Sequence, residues 1–500
     1  MGLKKIIAVP FATRVRKKLL KAAHNPEQTQ LKVMKELCSA AAETAFGKDH
    51  NLDKVDVYSD FTSRVPIRDY EEFKPYVERI KNNEPDILWK GKPDYLCKTS
   101  GTTSGAKYIP LTKESLKSQL SAARNALLCY IAETKRAEFL NGKMIFLQGS
   151  PILDVLPSGV KFGRLSGIVA NYVPNYLQRN RMPSYETNCI EDWQTKVEAI
   201  TEETMQENMT LISGIPSWVQ MYYEELLDKS GKKTIKEVFP NFSLFVYGGV
   251  NFEPYRERFN QLIGKEIPTI ELYPASEGFI AFQDSQLEEG MLLNIDAGMF
   301  FEFIPVEEVH QEQPKRLHAG QVELKKNYAL LITSNAGLWA YSIGDTVEFT
   351  SLNPPRIRVS GRIKHFTSAF GEHVIGKEVE TTMSKSCAHF NVSIREFHVA
   401  PQVTPEEGLP YHEWLVEFED KTQLPDGFLA RLDELMQEQN IYYKDLIEGK
   451  VLRPLVVTKL NKGAFEGYMK SKGKLGGQNK VPRLANDRKI ADALAQYMIK

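Results

Sequence analysis

The sequence predicts an α/β protein that consists of a large N-terminal domain and a smaller α+β C-terminal domain. Helical and strand-like patterns alternate through most of the chain, as they do when helices pack on the faces of a β-sheet. With 500 residues, the chain is too long for one ordinary hydrophobic core. The alternating pattern breaks at an Asn-Pro-Pro sequence at residues 353–355, which marks the end of the first domain.

The composition is that of a folded protein with no strong charge. Hydrophobic residues make up 42% of the chain and aromatic residues 10%, which excludes a disordered protein. Lysine plus arginine and aspartate plus glutamate are equal at 64 each, so no net charge favours nucleic acid or an anionic membrane as a partner. The five cysteines are scattered and include no CxxC pair, which predicts a reduced cytoplasmic protein without disulfides or a zinc site.

The first predicted element is an amphipathic helix within residues 1–23. Basic and apolar residues are interspersed there, and Arg14, Arg16, Lys17 and Lys18 interrupt the apolar run that a signal peptide needs. No apolar stretch in the sequence approaches the roughly 20 residues that span a bilayer. We therefore expect a helix docked on the protein, a cytoplasmic location and no membrane partner.

The next clear element is a helix predicted from Thr112 to Leu140. The Thr112 hydroxyl can cap its first turn, and Glu114 carries the negative charge that helix N-termini favour. Apolar residues recur along it at helical spacing, at Leu116, Leu120, Leu127, Leu128 and Ile131. Short apolar runs bounded by turn residues then predict buried strands at 143–147, 211–213, 244–247 and 269–272. Because such sheets bind ligands at the carboxyl ends of their strands, we expect the functional residues there.

The C-terminal unit begins after a short strand predicted at 356–359. We place the boundary between residues 360 and 361, which leaves a unit of ordinary domain size at 361–500. Within it the patterns predict a strand at 414–418, a helix at 427–439 and a terminal helix at 489–498. Residues 1–360 form the N-terminal domain in this division.

The densest polar motif is Lys98-Thr99-Ser100-Gly101-Thr102-Thr103-Ser104-Gly105-Ala106-Lys107. Glycines allow a tight turn, and exposed amides and hydroxyls can bind phosphate oxygens. We assign phosphate binding to Ser100, Gly101, Thr102, Thr103, Ser104 and Lys107. The motif is not a Walker A loop, because GxxxxGK is not matched and no Ser or Thr follows the lysine. The alternative is an ordinary polar hairpin loop.

Three further motifs place polar residues or glycines where strands are predicted to end. Tyr273-Pro274-Ala275-Ser276-Glu277-Gly278 carries one carboxylate, the kind of oxygen ligand that Mg²⁺ bound to ATP needs. Asp345 lies in a predicted Gly-Asp turn and can accept hydrogen bonds from a ribose diol. Gly248 and Gly249 would let a flat ring lie against bare backbone. Each motif also has an ordinary explanation, a surface ion pair for Glu277 and simple turns for the others.

Together these motifs resemble the acyl-adenylate-forming superfamily in order and spacing. The Ser100–Lys107 loop resembles its phosphate loop, residues 273–278 its second core motif, and Tyr341-Ser342-Ile343-Gly344-Asp345 its third. Within that superfamily the chain is similar to the Gretchen Hagen 3 family, whose plant members are acyl acid amido synthetases. Val65-Pro66-Ile67 and Gly214-Ile215-Pro216-Ser217-Trp218 also resemble this family. The likeness runs over nearly the whole chain.

The resemblance implies a fold and a set of roles. The implied fold has an N-terminal domain of adenylate-forming type, with β-sheets and flanking helices, and a small mobile C-terminal domain. The N-terminal domain would bind ATP and the acyl acid, and the C-terminal domain would close over the site. Tyr273 would stack on adenine, Ser276 would bond the α-phosphate, and Glu277 would hold Mg²⁺. Arg362 and Lys364 would form the hinge region and reach ribose or phosphate. Lys480, with Arg483, would supply the catalytic cation, although Lys470, Lys472 and Lys474 lie close in sequence.

The implied reaction is adenylation of a carboxylic acid by ATP, followed by transfer of the acyl group to an amino acid. One alternative keeps adenylation but transfers the acyl group to a thiol such as coenzyme A. Another is a nucleotide-binding relative without catalysis, which would be expected to lack Glu277, Asp345 or the hydroxyl-rich loop. A hydrolase is disfavoured because no GxSxG motif occurs. The sequence departs from plant members at residues 273–275 and 365–368, so neither the acid nor the amine is transferable from them. No nucleic acid or obligate protein partner is expected.

Overall fold

The structure is a computed structural model that describes most of the chain. The described residues are 3–99, 107–172, 179–190, 192–249, 252–309, 311–363, 366–367, 369–370, 374–419, 424–475, 480–485 and 487–499. Helices alternate with strands as the sequence predicts, and the α/β class is confirmed.

The α-helices are numbered in chain order. They are α1 Leu3–Ala23, α2 Pro26–Ala41, α3 Ala45–Asp49, α4 Tyr58–Arg64, α5 Tyr70–Lys81, α6 Lys113–Thr134, α7 Leu165–Ala170, α8 Tyr185–Asn188, α9 Trp193–Thr204, α10 Pro216–Ser230, α11 Ile235–Val238, α12 Glu253–Ile263, α13 Gly376–Phe390, α14 Phe428–Gln439, α15 Ile441–Glu448, α16 Ala464–Ser471 and α17 Lys489–Leu494. Short 3-10 helices cover Leu52–Lys54, Glu138–Asn141, Val306–Glu308 and Ala495–Tyr497.

The strands are numbered in the same way. They are β1 Tyr95–Thr99, β2 Lys107–Leu111, β3 Lys143–Phe146, β4 Asp154–Val155, β5 Lys161–Gly163, β6 Arg181–Met182, β7 Met209–Ser213, β8 Leu244–Gly248, β9 Thr269–Ala275, β10 Gly278–Phe282, β11 Met291–Leu293, β12 Met299–Pro305, β13 Leu317–His318, β14 Asn327–Ser334, β15 Leu338–Leu352, β16 Pro355–Arg362, β17 Phe366–Thr367, β18 Val374–Ile375, β19 Ile394–Gln402, β20 Tyr411–Phe418 and β21 Val456–Leu460.

The chain divides into two compact units. The first contains residues 1–250 and 262–359, and the second contains 251–261 and 360–500. The sequence-based division placed 251–261 in the N-terminal domain, whereas the structure groups this segment with the second unit. The reason is a set of polar contacts, in which Tyr255 donates a hydrogen bond to Glu396 and Arg258 pairs with Glu419 at 3.2 Å.

The first unit is built on a large mixed sheet. Among the described residues its strand order is β13-β12-β14-β15-β16-β11-β10-β9-β8-β7-β3-β6. Strands β9, β8, β7, β3 and β6 are parallel to one another, so their carboxyl ends meet at one edge. The remaining half is largely antiparallel, and it includes the 15-residue strand β15. A smaller sheet has the order β2-β1-β5-β4.

Helix α6 shows how local sequence sets the ends of an element. The Thr112 side chain accepts a hydrogen bond from the Ser115 amide, so the predicted cap is confirmed. The helix ends at Thr134 rather than Leu140, because Lys135 adopts a left-handed conformation with φ of 57°. The predicted residues up to 140 instead form a loop and the 3-10 helix Glu138–Asn141.

The second unit contains a three-stranded sheet in the order β19-β20-β21. Strands β19 and β20 are antiparallel, and β21 is parallel to β20. Trp414 is fully buried and stacks on Phe397, with ring centroids 5.8 Å apart. The predicted strand at 414–418 and helix at 427–439 are present. The terminal helix stops at Leu494 and continues as a 3-10 turn.

The helices give no sign of a transmembrane segment. Each described helix is too short or too polar to serve as one.

Candidate functional site

Two predicted site residues of the first unit, Gly248 and Tyr273, lie at the carboxyl ends of neighbouring parallel strands. Gly248 ends β8, and Tyr273 lies near the end of β9. These two strands are adjacent and parallel, with Gly248 opposite Leu272. Edges of this kind are where α/β sheets bind ligands, because the helices and loops diverge there.

The Gly248-Gly249 turn has no room for a side chain at its first residue. A Cβ added to Gly248 would lie 2.5 Å from the backbone oxygen of Leu272, closer than any real contact of that kind. Gly249 has φ of +84°, a left-handed conformation that favours glycine. The turn therefore presents bare backbone beside β9, as a flat ligand would require.

Replacing Gly248 with alanine is expected to destabilise the first unit by about 1–3 kcal/mol, because two backbone segments must separate to admit the methyl group. The measurement is a urea unfolding curve. Gly149→Ala is the matched control in the loop after β3, where the added Cβ meets side-chain atoms rather than backbone, those of Arg164 at 3.1 Å and of Ser166 at 3.8 Å. Equal stability of the two variants would contradict the packing argument.

A hydrogen bond joins the second and third predicted motifs. The Tyr273 hydroxyl donates to Asp345 Oδ2 at 2.5 Å, although the residues lie 72 positions apart in sequence. Tyr273 is only 7% exposed, whereas Asp345 is half-buried at the surface of the site. The hydrogen bond from the buried Tyr273 therefore fixes the Asp345 carboxylate, while part of the Asp345 side chain stays exposed to solvent.

Asp345 lies within a strand, so the predicted Gly-Asp turn is wrong. Strand β15 pairs with β14 through Ala329 opposite Thr346 and Leu331 opposite Ser342, which leaves residues 343–345 facing one residue. This irregularity is a bulge, and Gly344 supplies the left-handed conformation in it with φ of +83°. The bulge turns Asp345 out of the regular ladder towards β9.

Ser276 and Glu277 form the tip of a tight hairpin. Ala275 pairs with Gly278 across the β9–β10 ladder, so Ser276 and Glu277 are the two residues of the turn. The buried Gln119 of α6 donates its side-chain amide to the Ala275 carbonyl at 2.8 Å. Both tip residues are half-buried. The sequence analysis missed Gln119, whose only signal was a polar residue on the apolar face of a helix.

The Glu277 carboxylate interacts electrostatically with a residue of strand β1. Burial and then the negative charge of Glu277 raise the pKa of the Cys97 thiol, which places the carboxylate near this strand. Strand β1 pairs with β2 through Thr99 opposite Lys107, and the hydroxyl-rich motif connects the two strands. The Lys107 ammonium lies 5.6 Å from the ring centre of Tyr70. Ser100, Gly101, Thr102, Thr103 and Ser104 lie outside the described residues.

The other predicted basic residues, apart from Lys107, belong to the second unit. Arg362 is exposed at the end of β16, and Lys480 is also exposed. Lys364 lies outside the described residues.

Arg483 differs from Lys480, because it is buried in an ion-pair network. Its Nε lies 3.1 Å from Glu396 Oε1, and its Nη2 donates to the Tyr255 hydroxyl at 3.3 Å. Burial by itself lowers the pKa of the Arg483 guanidinium. The charges of Glu396, Tyr255 and Glu380 outweigh this effect, so the pKa is raised overall. Arg483 therefore anchors the segment that follows Lys480, and pairing it with Lys480 as a second substrate-facing cation is wrong.

Helix α10 contributes aromatic side chains to the core, since Trp218, Tyr222 and Tyr223 are buried. No group of three or more metal-binding side chains occurs within the described ranges. Glu277 is thus a single carboxylate at the tip of its hairpin, as suits an ion that is held mainly by phosphate oxygens.

Family models match most of the chain. The GH3 family N-terminal domain matches residues 15–187 and 165–268, the GH3 family central domain matches 292–362, and the GH3 family C-terminal domain matches 377–489.

Individual relatives extend the match. Indole-3-acetic acid-amido synthetase GH3.3 of Arabidopsis thaliana is 22% identical, over 95% of this chain and 92% of its own length. Jasmonoyl--L-amino acid synthetase GH3.5 of Oryza sativa subsp. japonica is also 22% identical, over 93% and 92%.

Solved structures share the fold. GH3.15 acyl acid amido synthetase superimposes with a TM-score of 0.80 at 17% identity, over 97% of this chain and 96% of that one. A 2-hydroxyisobutyryl-CoA ligase in a postadenylation state gives a TM-score of 0.60 at 13% identity, over 93% and 90%. The N-terminal family model alone matches more than half of the chain, and the central and C-terminal models follow it in order, so this protein belongs to the GH3 family.

Proposed function

We propose that this protein is an acid–amino acid ligase, which adenylates a carboxylic acid with ATP and then forms an amide. The observation that carries the proposal is the hydrogen bond between Tyr273 and Asp345, which brings two motifs of an adenylate site into contact in a chain of the GH3 family. The two relatives at 22% identity are named as an indole-3-acetic acid-amido synthetase and a jasmonoyl--L-amino acid synthetase.

In this proposal the nucleotide lies along the edge formed by β8, β9 and β15. Adenine rests on the bare backbone of Gly248 and Gly249 and stacks on Tyr273. Asp345 accepts hydrogen bonds from the ribose hydroxyls. The hydroxyl-rich loop, Lys107 and Ser276 bind the phosphates. The fit rests on the missing space for a Cβ at Gly248 and on the partly exposed carboxylate of Asp345.

We assign Mg²⁺ to the half-exposed carboxylate of Glu277 at the hairpin tip. When bound, the ion would neutralise charge on the phosphates and so favour departure of pyrophosphate. Glu277 supplies one hard oxygen ligand, and the phosphates and water supply the others.

The chemistry takes two displacements. In the first, an oxygen of the substrate carboxylate bonds to the α-phosphorus and pyrophosphate leaves. In the second, the neutral amine of an amino acid bonds to the acyl carbon, AMP leaves, and the amine loses a proton. No covalent bond to the enzyme is needed, because the acyl-AMP anhydride is already activated. The protein positions the reactants and stabilises the negative charge that develops at phosphate.

In this proposal basic side chains supply the positive charge for these steps. Lys480 is assigned to the phosphate charge of the adenylation step, and Arg362 and Lys364 are assigned to ribose or phosphate. The first unit binds ATP and the acid.

All five cysteines are free, which supports a cytoplasmic location in this proposal.

Replacing Lys480 with alanine is expected to slow pyrophosphate release by a factor of about 100 to 1,000, because a charge aimed at the developing phosphate charge is lost. The rate of pyrophosphate release with ATP, Mg²⁺ and acid is the measurement. Lys472→Ala is the matched control, since Lys472 is an exposed lysine of the same segment whose ammonium lies 5.8 Å from the ring centre of Tyr468. A larger loss in the Lys472 variant would move the role to that residue.

The proposed function is tested by product analysis. The protein is incubated with ATP, Mg²⁺, a panel of aromatic and aliphatic acids, and either mixed amino acids or coenzyme A, and the products are identified by mass spectrometry. We expect AMP and an acyl–amino acid amide in equal amounts. A thioester with coenzyme A and no amide would instead identify a thiol-dependent ligase and overturn the proposed acceptor.

A further inference from the structure

The N-terminal helix α1 has one face packed on the protein and one face open. Ala12 and Ala23 on its inner face are buried. At 3.6 residues per turn, residues 6, 7, 10, 11, 14, 17, 18 and 21 fall within an arc of about 140° on the opposite side. The helix contains no aspartate or glutamate. Its outer face is therefore a single surface without negative charge of its own.

The first half of this outer face is apolar. Ile6 is 58% exposed, Ile7 65% and Phe11 52%. Large apolar side chains that stand together at the surface mark an interaction site more often than isolated ones do. Folding of α1 against the protein does not account for these three residues, because they point away from it.

The second half of the outer face is cationic. Arg14, Lys17, Lys18 and Lys21 are exposed. None of the four forms an ion pair within the part of the chain that the structure describes. Inner cations of the same helix behave differently, since Arg16 pairs with Glu133 at 3.0 Å and Lys5 with Glu138 at 3.5 Å. The four outer cations thus face solvent with their charge uncompensated.

A cavity of about 590 Å³ opens beside this cationic half. Its basic lining residues are Arg16, Lys17, Lys21, His24 and Lys135. Four of them, Lys17, Lys21, His24 and Lys135, are exposed, and Glu133 beside the cavity is already paired with Arg16. The excess of positive charge suits a phosphate-bearing group.

From these features we infer that the outer face of α1 docks on an anionic phospholipid surface. Ile6, Ile7 and Phe11 enter the boundary between headgroups and acyl chains. The cations of the second half contact headgroup phosphates, one of which enters the cavity. Helices that bind at a membrane surface combine apolar side chains, which enter the boundary of the acyl chains, with cations that are attracted to anionic headgroups. The outer face of α1 carries both kinds of side chain, one after the other along its length. This differs from the sequence-based expectation of no membrane partner, which rested on net charge and on the absence of a spanning segment.

A second copy of the chain fits this surface less well. In a parallel pair of α1 helices, the cationic halves would meet and repel each other. In an antiparallel pair, cations would be buried against Ile6, Ile7 and Phe11 without a counter-charge, which is costly. An anionic membrane meets both halves of the face, because it offers apolar chains and phosphates together.

The test is sedimentation of the full-length protein with vesicles. We expect binding to vesicles of phosphatidylcholine with about one-third phosphatidylserine, and little binding to phosphatidylcholine alone. Arg14→Gln/Lys17→Gln/Lys18→Gln/Lys21→Gln should lower the partition coefficient by about fivefold for each charge removed. Ile6→Ser/Ile7→Ser/Phe11→Ser should also release the protein, because the apolar insertion is lost.

A charge-matched control separates this surface from general attraction. Lys54→Gln/Lys232→Gln/Lys233→Gln/Lys265→Gln removes four exposed cations elsewhere in the first unit and should bind vesicles as the wild type does. Equal losses in the two four-charge variants would overturn the proposal. So would binding of inorganic phosphate at the cavity without binding to vesicles, or a dimer that dissociates when Ile6, Ile7 and Phe11 are replaced. Ligase activity in solution is measured in parallel, since the membrane proposal does not depend on it.

Discussion

Replacing Glu277 with alanine is expected to reduce acid-dependent pyrophosphate release by a factor of about 100 to 1,000. Glu277 is the carboxylate at the tip of the β9–β10 hairpin. Together with burial, its negative charge raises the pKa of the Cys97 thiol on β1. The substitution removes the oxygen ligand that we assign to the Mg²⁺ ion bound to the ATP phosphates. The initial rate of pyrophosphate release at saturating ATP, Mg²⁺ and acid is the measurement.

Two further variants separate charge from folding. Glu277→Gln keeps the shape of the side chain and should lose nearly as much activity, because a neutral amide is a poor ligand for Mg²⁺. Glu323→Ala, at an exposed glutamate with 72% of its side chain accessible, should leave the rate unchanged. Full activity of Glu277→Ala in a protein that still melts normally would show that the carboxylate has no part in the reaction.

The second large effect is expected at Asp345. Asp345→Ala removes the assigned acceptor of the ribose hydroxyls and should raise KM for ATP by about tenfold to 150-fold, since hydrogen bonds to a charged group contribute about 1.5–3 kcal/mol. The measurement is the dependence of pyrophosphate release on ATP concentration. The effect should lie mainly in KM, because ribose is bound alike in the ground state and the transition state.

Tyr273→Phe is the informative partner of the Asp345 variant. It removes only the hydroxyl that donates to Asp345 Oδ2 and leaves both the ring and the carboxylate. We expect a rise in KM for ATP of about threefold to tenfold, because the carboxylate keeps its charge but loses one fixed partner. If Tyr273→Phe were as damaging as Asp345→Ala, the hydroxyl itself would have to contact the substrate.

The sequence predicts the parallel half of the large sheet well. The strands expected at 211–213 and 244–247 appear as Met209–Ser213 and Leu244–Gly248. Their continuous apolar runs and following turn residues are strong local signals, because both faces of a parallel strand are buried. Gly248 and Tyr273, which we assign to the nucleotide, lie in the last residues of Leu244–Gly248 and Thr269–Ala275.

The antiparallel half and the bulge at Asp345 were not predictable in the same way. The position of Asp345 depends on the register of β15 against β14, which is a non-local pairing. A Gly-Asp pair has the same local signature in a turn and in a bulge, because Gly344 supplies a left-handed residue in either. The assignment of Asp345 to the ribose therefore stays a prediction, and its backbone setting could not be read from the local pattern.

The contrast between Lys480 and Arg483 has a similar origin. The two lie three residues apart in one basic segment, and composition alone gives both a solvated or functional role. The burial of Arg483 comes from Glu396 and Tyr255, which are distant in sequence. Only the tertiary fold reveals that one cation is held in a network and the other is exposed.

The central claim is that the protein forms an acyl-adenylate, and isotope exchange between labelled pyrophosphate and ATP tests it most directly. The assay contains ATP, Mg²⁺, pyrophosphate and a carboxylic acid, but no amino acid or thiol. Because adenylation is reversible before the acceptor reacts, we predict exchange that requires an acid and is lost in Glu277→Ala. A protein that binds ATP yet shows no exchange with any acid of a broad aromatic and aliphatic panel would contradict the account.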